Sequence, residues 1–178
     1  MIVENSIIKQ AAKGSGIKEE DLKIFFSEGE KRTYKPNDWL IQEATPRQWA
    51  GIILEGDVEL VRGLHGSSRH VATMIEGAII SEGAFLEGDA HSNGAFTRNG
   101  TSVWQISKEK IDAYRESHPE IFYRIVSRIA VGIRCFGCKL LDVMHDPGNL
   151  ERGLADQYIF DHRFDGGNHV FWRFASDR

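Results

Sequence analysis

The hydrophobic rhythm of the chain changes along its length. "KEEDLKIFFSEGEK" sets Leu22, Phe25 and Phe26 on one face at helical spacing, which predicts a helix ending near Gly29. From Arg32 to Ile106 short apolar runs alternate with turn signals, among them "KPND", "EATPRQ", "EGD", "GLHGSS", "LEGDAHSNG" and "TRNG". So many short strands at regular turn spacing predict a β-barrel or sandwich. "WAGIILEGDVELVRG" predicts two strands around Glu55-Gly56-Asp57, and "RHVATMI" predicts the partner of "DVELV". From Ser107 the period is helical again. "SKEKIDAYRESH" opens on a capping serine, Pro119 opens a longer helix running to about Met144, and "HDPGN" ends it. The stretch from Leu150 to Arg178 gathers aromatics around a "DGGN" turn and reads as a short hairpin or a docking tail.

Along the longer helix Phe122, Val126, Ile129, Ile133, Phe136, Leu140 and Val143 are spaced 4, 3, 4, 3, 4, 3. That spacing is a heptad seam. Its a positions are Val126, Ile133 and Leu140, and the β-branched pair among them favours a parallel two-stranded coil. Ala130, Gly132 and Gly137 flank the seam and let two helices approach closely, while Ile121 and Ile125 form a second stripe for the protomer's own β-unit. A homodimer with Phe122, Val126, Ile129, Ile133, Phe136 and Leu140 at its interface is therefore expected. In this register Cys135 and Cys138 fall at c and f and point away from the partner helix.

Composition narrows the classes. The chain has 178 residues, 41% hydrophobic and 27% charged, which suits a globular domain with a real core. Its net charge of −4 provides no global field for nucleic acid. No apolar run approaches the ~20 residues of a membrane span, and "MIVENSIIKQAAKGSG" lacks the regions of a signal peptide. Its 2 cysteines cannot make a disulfide scaffold, so a cytoplasmic protein is expected. "CFGC" lies deep in a helix rather than at a strand-to-helix turn, and reads as two small side chains on a helix surface. The histidines are scattered, and "HRFDGGNH" lacks zinc-ligand spacing, so no metal is expected. No serine elbow, Walker loop or paired carboxylates point to catalysis, and the chain is not expected to be an enzyme.

"GAIISEGAFLEGDAHSN", Gly77 to Asn93, has the cadence of a phosphate-holding loop. Together with "YKPNDWLIQEATPRQWAGIILEGDVELVR" it carries a resemblance. From about Ile17 to Leu141 the chain resembles the cyclic-nucleotide-binding domain of catabolite-activator (Crp/Fnr-like) regulators. The resemblance implies a mainly β fold with flanking helices, a double-stranded β-helix or jelly-roll, followed by a long dimerisation helix. It divides the chain into an N-terminal segment (1–16), a β-roll (17–118), a long helix (119–145) and an aromatic tail (146–178).

In such a cassette glycines let backbone N–H groups converge on an anion, an arginine neutralises the phosphate, and a glutamate grips a ribose hydroxyl. The resemblance places Gly77 at the family's first glycine and Glu82 at its ribose-binding glutamate. Ser81 replaces the glycine directly before that glutamate. The arginine position falls on His91, nine residues after Glu82, with Ser92 and Asn93 at the small-residue positions that follow. The implied ligand-binding set is Gly77, Ser81, Glu82, Gly83, His91 and Ser92. Guanidinium is permanently charged and forks toward phosphate oxygens, whereas imidazole is mostly neutral near pH 7. Losing charge-assisted hydrogen bonds worth roughly 1.5–3 kcal/mol weakens binding by roughly one to two orders of magnitude. Residual anion binding should strengthen below about pH 6.5, where histidine charges. Arg69 and Arg98 do not stand at the matching place.

Regulators of this family usually continue from the long helix into a winged helix-turn-helix. After Asp146 the sequence has 32 residues without paired helical periods or a basic cluster, so direct DNA binding is not expected. The expectation is a regulatory sensor module with no resident cofactor. Its ligand would be a weakly bound cyclic nucleotide or another small anion, and it would be a homodimer able to dock a partner protein through its tail, away from any membrane. The alternative is a ligand-free structural or adaptor subunit that dimerises and docks a partner. A transcription regulator acting through another protein ranks behind both.

Overall fold

The computed structural model describes residues 17–63, 69–86 and 90–130, with positions 5, 8, 9 and 12 before them and the segments 159–161 and 173–174 after. Helix α1 spans Glu19–Ser27 and buries Leu22, Phe25 and Phe26, the face predicted from their spacing. Glu19, Glu20 and Asp21 in its first turn complement the helix dipole. The chain turns at Gly29, which lies so flat against the Trp104 indole that no Cβ would fit between them.

Strands β1 (Glu30–Tyr34), β2 (Trp39–Ile41), β3 (Trp49–Arg62), β4 (Arg69–Ile75), β5 (Ile79–Ile80), β6 (Gly94–Phe96) and β7 (Thr101–Ser107) curl into an antiparallel roll around β3. The first half of β3 pairs with β7 on one side and β5 on the other. Its second half pairs with β4, from Asp57 opposite Ile75 to Arg62 opposite Arg69, and with β6. The expected partnership of "DVELV" with "RHVATMI" is thus present. The expected break at Glu55-Gly56-Asp57 is not, because β3 is one continuous strand of 14 residues. Gly56 sits at φ 84°, and the register against β7 shifts between Ile53 and Glu55. This is a bulge, which bends a strand and lets it change partners without ending it.

Two cores result. Inside the roll, Leu40, Ile41, Ile53, Val58, Ala72, Met74, Ala78, Ile80, Ala95 and Val103 are buried together. Outside it, under the helices, lies an aromatic cluster built on Phe25, Phe26, Phe85, Trp104, Tyr114 and Phe122.

Helix α2 (Lys108–Ser117) opens on Ser107, whose hydroxyl accepts from the Lys110 N–H at 3.3 Å, the cap expected from the sequence. The next helix, α3, begins at Pro119 and is described over 119–130. Phe122 and Ile129 are buried in the outer core, with Ile121, Ile125 and Val126 packed against it. This departs from the expected division of the helix into a partner-facing seam and a separate self-facing stripe. Phe122 and Ile129 already face the protomer's own domain, with the Phe122 ring centroid 6.3 Å from that of Phe85. The rest of the seam (Ile133, Phe136, Leu140) lies outside the described residues, as do Cys135 and Cys138.

Strand β8 (Ile159–Asp161) pairs parallel with β4, and β9 (Arg173–Phe174) pairs antiparallel with β8. These two short strands extend the sheet at the β4 side.

Candidate anion-binding cassette

The cassette begins where β4 turns into β5. Gly77 sits at φ 84° and its N–H donates to the Ile53 carbonyl at 2.8 Å, which fixes the turn onto β3. After β5, Ser81 adopts left-handed backbone angles, φ 58° and ψ 31°. For a residue with a Cβ that conformation costs roughly 1–2 kcal/mol. The hydroxyl offsets part of the cost by donating to the Trp49 carbonyl at 2.6 Å. Serine therefore makes the turn that a glycine would make, and it aims its hydroxyl into β3.

A short 3₁₀ turn, Glu82–Phe85, follows. Ala84 N–H donates to the Ser81 carbonyl at 3.0 Å and Leu86 N–H to that of Gly83 at 3.1 Å. Ala84 and Phe85 are buried, whereas Glu82 and Gly83 are half-buried on the outer side of the turn.

The second wall comes from the other end of the cassette. Ala90 bridges Pro46, His91 N–H donates to the Thr45 carbonyl at 2.9 Å, and Ala44 N–H donates to the His91 carbonyl at 2.8 Å. His91 is only 9% exposed. Burial holds its pKa below the usual imidazole value, and the nearby positive charge of Arg47 adds to the effect. The acid window in which His91 charges therefore starts lower than its sequence position alone implied. Ser92 is exposed, and its hydroxyl oxygen accepts from Asn93 at 3.4 Å.

Of the six predicted residues, Ser81, Glu82 and Gly83 share one turn. Gly77 shapes the turn preceding it, and His91 and Ser92 arrive on a separate segment. What links the two walls is Arg47, which the sequence reading passed over. A Cβ placed on Gly83 would lie 2.6 Å from Arg47 Nε and 2.7 Å from its Cζ, and the same guanidinium acts on His91. No local signal marks it, since Arg47 follows a proline in a polar loop and reaches the cassette only through the pairing of 44–46 with 90–91. Arg98, by contrast, donates both to Glu59 of β3 and lies over the Phe96 ring, 5.7 Å from its centroid. Arg69 stands opposite Arg62 in the β3–β4 pair. Among the described residues no three His, Cys, Asp or Glu side chains gather into a metal site, and no helix is long and apolar enough to cross a membrane.

The roll thus carries a glycine-led turn and a 3₁₀ turn between β4 and β6, with helices packed on one face. The family model described as the cyclic nucleotide-binding domain matches residues 31–118, and the chain carries a domain of that family. No curated protein matches the chain. The catabolite activator protein of Thermus thermophilus superposes with a TM-score of 0.59 at 21% identity, over 72% of this chain and 62% of that one. The chain thus spans less than two thirds of that protein's length. The N-terminal domain of a transcriptional regulator from Streptomyces coelicolor A3(2) gives 0.62 at 14% identity, over 72% and 94%. A cyclic nucleotide-binding domain from Methylobacillus flagellatus KT gives 0.65 at 14% identity, over 85% and 84%. At such identities the likeness speaks for the fold.

Proposed function

We propose that this domain is a regulatory sensor module whose cassette takes a small anionic ligand of the cyclic-nucleotide kind, held by Gly77, Ser81, Glu82, Gly83, His91 and Ser92. The observation that carries the reading is the left-handed Ser81. A chain keeps a strained turn where the surrounding structure and its use demand one, and strain of this type gathers at ligand clamps. Cyclic nucleotide affinity is low in this reading, because a buried imidazole stands where the family has a guanidinium. Homodimerisation through the remaining seam (Ile133, Phe136 and Leu140) and output through a partner protein, without direct DNA binding, belong to the same proposal.

The adaptor reading draws on a different observation, the addition of β8 to β4, which marks that side of the sheet as a surface that accepts a strand. Calorimetry with cyclic AMP separates the two. The sensor reading expects dissociation constants above micromolar for the wild type and a gain of about tenfold or more in His91→Arg. Sub-micromolar, pH-independent binding overturns the altered-cassette reading, and silence in both proteins favours the adaptor. Sedimentation of the same samples at micromolar concentration should show a dimer; a monomer removes the seam from the proposal.

A further inference from the structure

We infer that Arg47 supplies the permanent cation of the cassette, meeting the ligand's phosphate from the loop between β2 and β3. The inference rests on the sensor reading above and names the group that neutralises the anion.

The loop is held on both sides of Arg47. Before it, Thr45 and Pro46 pair with His91 and Ala90. After it, the Gln48 carbonyl accepts from Lys108 N–H at 2.8 Å and the Trp49 carbonyl accepts from the Ser81 hydroxyl at 2.6 Å. The backbone of residue 47 is thus fixed to both walls of the cassette, and its side chain is half-buried.

Gly83 shows where that side chain goes. Its missing Cβ would stand 2.6 Å from Arg47 Nε, 2.7 Å from Cζ and 2.9 Å from Cδ, so the guanidinium end lies across the bare Cα of the 3₁₀ turn. Segments 44–48, 81–85 and 90–92 therefore meet around one guanidinium.

The chemistry fits an anion. A neutral imidazole offers one donor, whereas guanidinium keeps its charge at every working pH and forks two N–H groups toward phosphate oxygens. Arg47 and His91 repel each other whenever His91 charges, and an anion set between them turns that repulsion into attraction for both. The cassette would thus keep a charge-assisted fork although the cassette strand carries none.

The test titrates the full chain with cyclic AMP up to millimolar concentration, by calorimetry and ligand-observed NMR, in the wild type, Arg47→Gln, Arg47→Lys and Gly83→Ala. Arg47→Gln should lose about tenfold or more in affinity, and Arg47→Lys should lose less because it keeps the charge without the fork. Gly83→Ala should resemble Arg47→Gln, because the new methyl displaces a flexible side-chain end and leaves the backbone in place. Thermal midpoints should stay close to that of the wild type. Unchanged binding in Arg47→Gln overturns the inference and leaves the sensor reading standing. Equal losses in Arg47→Gln and Arg47→Lys, with matching drops in thermal midpoint, overturn it too, since Arg47 would then only pin the loop. A wild type that binds no cyclic AMP removes the sensor reading itself, and this inference with it.

Discussion

Ile52 and Ile53 are neighbours in β3 and belong to different interiors. Ile52 packs under the helices with Phe25 and Trp104, and Ile53 packs inside the roll with Val58 and Met74. Val103 and Trp104 of β7 divide in the same way. Alternation along a strand makes the division possible, and the shape of each space decides its filling. Inside the roll, facing strands leave room for branched aliphatic side chains. Outside it, where the helices pack on the sheet, the rings of Phe25, Phe26, Phe85, Trp104, Tyr114 and Phe122 join aliphatic side chains. Phe25 meets Trp104 at 5.4 Å and Tyr114 at 5.2 Å between centroids, and Phe26 meets Trp104 at 5.1 Å. The cassette crosses between the two: Ile80 lies in the inner core, Ala84 and Phe85 in the outer one, with strained Ser81 between them. A turn that spans two cores can be distorted and still be held.

Trp104 holds the outer core together at its centre. Its side chain is 1% exposed, and its indole N–H donates to the Phe26 carbonyl at 3.0 Å, which ties α1 to the sheet. Trp104→Ala should cost about 3–5 kcal/mol in denaturant unfolding, against about 0.5–1.5 kcal/mol for Ile53→Val in the inner core. If Trp104→Ala costs no more than Ile53→Val, the outer core does not hold the helices as described.

Much of this arrangement was legible in the sequence. The Leu22, Phe25 and Phe26 face, the β3–β4 pairing and the Ser107 cap each depend on neighbours within a few residues or on a plain alternation. The features that escaped depend on distant partners. Glu55-Gly56-Asp57 has the composition of a turn, but Gly56 packs against the Gly100 carbonyl and the strand runs on, because β7 is there to receive it. The 4–3 spacing of Phe122 and Ile129 meets the needs of a partner helix and of the protomer's own core equally well, and only packing separates them. Ser81, Glu82 and His91 are marked by their positions in the resemblance, while the approach of Arg47 to Gly83 is not, since nothing near Pro46 in the sequence refers to Ala90 or Gly83.

A finer test of the strained crossing uses Ser81 itself. Ser81→Gly relieves the left-handed strain and loses the bond to Trp49, two effects of about 1 kcal/mol and opposite sign, so its stability should stay within about 1 kcal/mol of wild type. Ser81→Ala keeps the strain and loses the bond, and should cost about 1–2 kcal/mol. Equal stability of the two variants would mean that the backbone angle at residue 81 carries no strain.

The smallest expected effect is the dependence on acid at His91. Burial and the charge of Arg47 hold its folded-state pKa below the usual value of about 6.5 that the unfolded chain keeps. As pH falls below about 6.5 the unfolded chain takes up a proton that the folded chain refuses, so stability drops through that window and levels off only below the folded-state value. Among the described residues, Arg47 is the charged group that acts on this ring. An anion held as proposed would reverse the sign for binding: it would raise the His91 pKa, and affinity would grow over the range in which the protein alone weakens. Thermal midpoints of the wild type and His91→Gln at pH 7.5 and 5.5 check the first half. The wild type should lose more than the variant on acidification, and saturating cyclic AMP should narrow the gap. Parallel losses in the two proteins would show that the imidazole is not held neutral by its burial beside Arg47.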